Sequence, residues 1–111
     1  MKGGLSTHVL DTSRGLPAPG VPVTLFKTEG KELQAVGAGV TDAEGRIGNL
    51  LAEGGELEPG WYRLVFDLAP YFGSAAHFFS RVTLDLAVAE AGHHHVPLLV
   101  SPFGCSSYRG S

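Results

Sequence analysis

Apolar and polar residues alternate in short runs along most of this chain, the period-2 signature of strands that bury one face. In VPVTLF, Val21, Val23 and Leu25 share a face. RVTLDLAV alternates more strictly, setting Val82, Leu84, Leu86 and Val88 against Arg81, Thr83 and Asp85. Further strands are expected at STHVLD, LQAVGAGVT, GWYRLVFDL and HHHVPLLVS, which makes six, and the tail has room for a seventh. Turns separate them at RGLPAPG, DAEGR, LEPG and SPFG, where Gly and Pro supply the backbone angles a reversal needs. Only DLAPYFGSAA departs from the pattern; it fits one or two helical turns, with Pro70 and Gly73 limiting its length. Strands of this kind bury one face each by packing as a two-sheet sandwich, so the fold class is all-β.

Composition narrows this picture without changing it. With 111 residues the chain makes a single domain, 1–111, and 43% apolar with 17% charged residues is the balance of an ordinary folded protein. No stretch approaches the roughly 20 apolar residues of a membrane helix, so no membrane association is expected. A net charge of -3 and the lack of a basic cluster argue against nucleic acid, which is bound by grouped Lys and Arg that displace counterions. The opening MKGGLSTHVLDTS has no apolar signal core, and the one cysteine, Cys105, has no internal disulfide partner. A reducing, cytoplasmic location is the expectation.

Groups able to act on a substrate occur at His8 in STHVLDT, at Arg46 in TDAEGRI, in the run His93, His94, His95, and in the terminal YRGS. They are distant in sequence, but a sandwich brings strand ends together, and sites are commonly assembled there. Strand alternation sets His93 and His95 on one face and His94, with Val96, on the other. With His8 they could supply three nitrogens to zinc, although no carboxylate or Cys accompanies them at ligand spacing. Each group also has a bland reading. His8 can satisfy a nearby carbonyl, Arg46 can be a solvated charge, and Asp42 can be a turn-stabilising side chain. Asp11 and Arg14 suggest a weak surface pair, Cys105 a buried or idle thiol, and Trp61 with Tyr62 core packing.

Taken together, LSTHVLDTSRGLPAPGVPVTL, TDAEGRIGNL, HHHVPLLVSPFG and the closing SSYRGS resemble the transthyretin-like 5-hydroxyisourate hydrolases of urate degradation, from Leu5 to Ser111. The resemblance implies a transthyretin-like β-sandwich of two four-stranded sheets with one short helix at DLAPYFGSA. It also implies a homotetramer whose active sites line a channel where dimers meet. The family's site residues fall on His8, Arg46 and His95 and on the tail residues Tyr108, Arg109, Gly110 and Ser111. His94 stands where relatives commonly carry Tyr, and Cys105 where they often carry an aromatic. Transthyretin, the hormone-binding relative, lacks the YRGS tail and the His pair, so the resemblance favours an enzyme over a carrier.

The reaction so implied opens a cyclic amide with water and calls for no metal or organic cofactor. Water attack on a carbonyl at neutral pH needs a base and an oxyanion donor. His8 and His95 suit the acid-base work, and Arg46 suits the developing negative oxygen. Ser111 is expected to position water or substrate. Tyr108, Arg109 and Gly110 are expected at the substrate, with Arg109 either clamping it or fixing the tail. Which His is the base depends on environment, which residue order does not give.

Overall fold

In β1 (Leu5–Asp11) the alternation becomes architecture: Leu5, Thr7, Val9 and Asp11 are buried, while Ser6, His8 and Leu10 turn to the opposite face. A computed structural model describes residues 4–51 and 55–110. After β1 come β2 (Leu16–Pro17), β3 (Pro22–Glu29), β4 (Glu32–Val40), β5 (Arg46–Ile47) and β6 (Gly60–Asp67). The helix α1 (Ala69–Phe72) and strands β7 (Arg81–Val88), β8 (His94–Ser101) and β9 (Gly104–Ser107) complete the order.

One sheet runs β4-β3-β6-β7, every pair antiparallel. The other runs β2-β1-β8-β9, with β1 and β8 parallel and β5 also paired to β1. β2 meets β1 at Leu10 and Asp11, and β5 meets it at Thr7 and His8. The two short strands therefore divide one edge of β1 between them, and this sheet also has four ranks, as the resemblance implied. Between the sheets Leu5, Val9, Leu98 and Val100 face Val23, Leu25, Leu64 and Phe66, all essentially without solvent contact. Burial of this apolar surface, at about 25 cal/mol per Å2, is what holds the layers together.

The expected strands are all present, and the tail supplies β9. The RGLPAPG turn also contains β2, which is too short for periodicity to reveal. α1 is a single turn: Pro70 fits its start, where a missing N–H costs nothing, and Gly73, at φ 58°, ends it. Trp61 is a correction, since β6 alternation buries Tyr62, Leu64 and Phe66 and leaves Trp61 outward and 66% exposed.

Asp11 is a second correction: it is buried rather than one half of a surface pair. Its Oδ1 accepts hydrogen bonds from the Ser13 hydroxyl (2.6 Å) and from the backbone N–H of Ser13 and Arg14, and its Oδ2 accepts from the Tyr71 hydroxyl (2.7 Å). Burial pushes the carboxyl pKa up, but these bonds, led by the Ser13 and Tyr71 hydroxyls, outweigh it and hold it below the usual value. Cys105 is exposed on β9. Among the described residues no helix is long and apolar enough to cross a membrane.

Candidate active site

The outer face of the parallel pair β1 and β8 collects the polar groups that alternation excludes from the core. Ser6 lies opposite His95 and His8 opposite Pro97. β5 brings Arg46 opposite His8 from the other edge of β1. His8, Arg46 and His95 thus share one solvent-facing surface, where the first residues of β5 and β8 meet the middle of β1.

A tight turn sets Arg46 there. Asp42 Oδ1 accepts from the backbone N–H of Glu44 and of Arg46, each at 2.9 Å, and the Gly45 N–H donates to the Asp42 carbonyl at 2.9 Å. Those bonds, Arg46 first and then Glu44, hold the Asp42 carboxyl below its usual range. Gly45 has φ 76°, and its carbonyl accepts from the Val9 N–H at 2.7 Å. A side chain at Gly45 would strike the Val9 carbonyl oxygen, so β5 docks on β1 only with glycine at this position.

The two site histidines have different partners. His8 Nε2 lies 2.9 Å from the Glu44 carbonyl oxygen. A carbonyl only accepts, so Nε2 carries the hydrogen and Nδ1 is the accepting nitrogen of the neutral ring. His95 Nδ1 lies 2.7 Å from Ser6 Oγ, which is also 2.9 Å from His93 Nε2. Burial lowers the His95 pKa, and competition with His8 and His93 for a proton and the fixed charge of Arg46 lower it further, against an opposing contribution from Ser6. The ring is therefore neutral, and able to accept a proton, at neutral pH.

The tail divides between two surfaces. The Gly110 N–H donates to the His95 carbonyl at 2.7 Å, and a Cβ on Gly110 would sit 2.5 Å from His95 Cδ2. Glycine is what lets the tail lie against the imidazole. Tyr108 and Arg109 instead line a cleft of about 360 Å3 between the sheets, with Leu84, Leu86 and Val88 of β7 and with His94. His94 points there, away from His95, as alternation requires. Ser111 lies outside the described residues.

Sequence reasoning passed over Ser6 and did not assign His93 to the site. Period-2 spacing from His8 put Ser6 on the right face, but its contact with both histidines follows from parallel pairing across 89 residues. Among the described residues no group of three or more His, Cys, Asp or Glu side chains is placed to hold a metal ion.

The model of the HIUase/Transthyretin family matches residues 5–110. The chain belongs to this family. It is 44% identical to the 5-hydroxyisourate hydrolase of Deinococcus radiodurans, covering 97% of this chain and 96% of that protein. The solved structure of Klebsiella pneumoniae 5-hydroxyisourate hydrolase shares 39% identity with a TM-score of 0.80, covering 98% of this chain and 94% of the other. Sea bream transthyretin, solved in complex with thyroxine, shares 28% identity with a TM-score of 0.85, covering 96% and 93%. Backbone likeness alone does not separate the enzyme from the hormone-binding protein; side chains have to.

Proposed function

We propose that this chain is a hydrolase that opens 5-hydroxyisourate to 2-oxo-4-hydroxy-4-carboxy-5-ureidoimidazoline, a step of urate degradation. The observation that carries the reading is the meeting of His8, Arg46 and His95 on one sheet face, brought there by β1, β5 and β8. The solved hydrolase relative and the hydrolase of Deinococcus radiodurans support the same substrate.

In this reading His95 Nε2 accepts a proton from water as the water oxygen bonds to the ring carbonyl carbon. His8, anchored through Nε2 to the Glu44 carbonyl, orients that water through Nδ1. Arg46 donates to the carbonyl oxygen as it becomes negative, which lowers the barrier because the charge forms where the donor already stands. The carbon–nitrogen bond then breaks, and His95 returns its proton to the leaving nitrogen. Ser111 positions the water or the substrate, and no metal or cofactor takes part.

The face is open in a single chain, whereas such chemistry gains from excluding water. We take the working form to be a homotetramer in which another copy closes the channel over this face, with the sites where dimers meet. β7 and β9 end their sheets beside the apolar cleft, which suits them for pairing with further copies. Tyr108 and Arg109, which line that cleft, then reach substrate across a subunit boundary, while Gly110 seats the tail on His95. The exposed, single Cys105 suits a reducing, cytoplasmic setting.

Stopped-flow ultraviolet absorbance of freshly generated 5-hydroxyisourate tests the assignment. Wild type should accelerate its decay, and Arg46→Ala should be slower by about a hundredfold or more. Near-full activity in Arg46→Ala removes its assigned role. No acceleration by wild type removes the hydrolase reading and leaves ligand carriage, as in the transthyretin relative.

A further inference from the structure

The hydroxyl of Ser6 sits between two imidazoles, 2.7 Å from His95 Nδ1 and 2.9 Å from His93 Nε2. It has one hydrogen to give, so it donates to one ring nitrogen and accepts from the other. The two rings are thereby coupled. If Ser6 donates to His95, the hydrogen of neutral His95 lies on Nε2 and the base is blocked. If Ser6 donates to His93, His95 carries its hydrogen on Nδ1 and leaves Nε2 bare. The second arrangement is favoured by the fixed charge of Arg46, which shares this face with His95, because a bare lone pair beside positive charge is preferred to an N–H. Among the described residues His95 Nε2 has no hydrogen-bond partner, and His93 is exposed to solvent.

We propose that Ser6 is a positioning residue which, by donating to His93, holds His95 in the tautomer whose Nε2 is free to take the proton from water. Its Oγ bonds ring nitrogens and does not touch the reacting atoms. His93 is the acceptor that makes this polarity the stable one, a role distinct from metal binding. Burial of the neutral ring supports it, since a neutral imidazole has a tautomer to be chosen.

The proposal deepens the reading of His95 as the base and rests on that reading for its kinetic arm alone. The decisive measurement is the nitrogen-15 NMR spectrum of the histidine side chains, recorded above the His95 titration for wild type, Ser6→Ala, Ser6→Thr and His93→Ala. Wild type and Ser6→Thr should show His95 protonated at Nδ1. Ser6→Ala and His93→Ala should move population to the Nε2–H form. In turnover of 5-hydroxyisourate, Ser6→Ala should lose about tenfold to a hundredfold in kcat, with KM within about twofold, the range seen when a group that fixes a histidine tautomer is removed. Ser6→Thr should recover most of it. Wild-type His95 protonated at Nε2, an unchanged tautomer in both deletions, or full kcat in Ser6→Ala overturns the proposal. A wild type without turnover defeats the hydrolase reading instead, and the tautomer comparison still decides the role of Ser6.

Discussion

At the scale of single residues, the proposed mechanism depends on keeping His95 uncharged. Burial comes first, competition with His8 and His93 for a proton and the fixed charge of Arg46 come next, and all act in one direction. The sign follows directly. A base must be neutral to accept, so kcat/KM is full above the His95 pKa and falls as pH drops through it. Because that pKa is lowered, the acid limb should have its midpoint below the ordinary imidazole value of about 6.5. A pH series of kcat/KM checks this, and a midpoint above 6.5 contradicts the assignment of His95 as base. The same scale shows why residue type alone was ambiguous. His8 does satisfy a carbonyl, as a structural histidine would, yet that bond also fixes which of its nitrogens faces a substrate.

At the scale of elements, two-residue β5 matters more to the site than its length suggests. It carries Arg46 to His8, and its docking depends on the left-handed Gly45 and on Asp42 gathering the turn's N–H groups. Gly45→Ala should therefore cost about 1–3 kcal/mol, from the positive φ and the collision with β1. Activity should fall by more than that stability loss explains, because Arg46 moves with the turn. Urea denaturation alongside turnover at a temperature where the variant remains folded separates the two effects. The long strands were legible because each buries alternate residues against one core, so period and burial agree along β1, β6 and β7. β2 and β5 were not, because two residues carry no period; contact with β1 makes them strands.

At the scale of the whole molecule, the face that carries His8, Arg46 and His95 lies on the outside of the sandwich. Sheets that end in β7 and β9 beside an apolar cleft, and a tail split between that cleft and His95, suit a protein finished by its own copies. Specific activity should therefore fall on dilution as the assembly dissociates, in step with the mass seen by light scattering or sedimentation. Activity unchanged in verified monomers rules out the shared site.

Alternation, turn residues and the four motif blocks were sufficient by themselves for the sandwich, for its strand order along the chain and for His8, Arg46 and His95 as the groups to watch. These are properties of neighbouring residues, and period-2 burial is a local rule. The residue order did not place the site on an open sheet face, join Ser6 to both His93 and His95, bury Asp11 under Tyr71, or send Tyr108 and Arg109 into a different cleft from Gly110. Each of those depends on which strand lies beside which, and in what register. Pairing of β1 with β8 spans nearly the whole chain. Only the folded molecule decides it, because the energy that selects the pairing comes from burying both sheets at once.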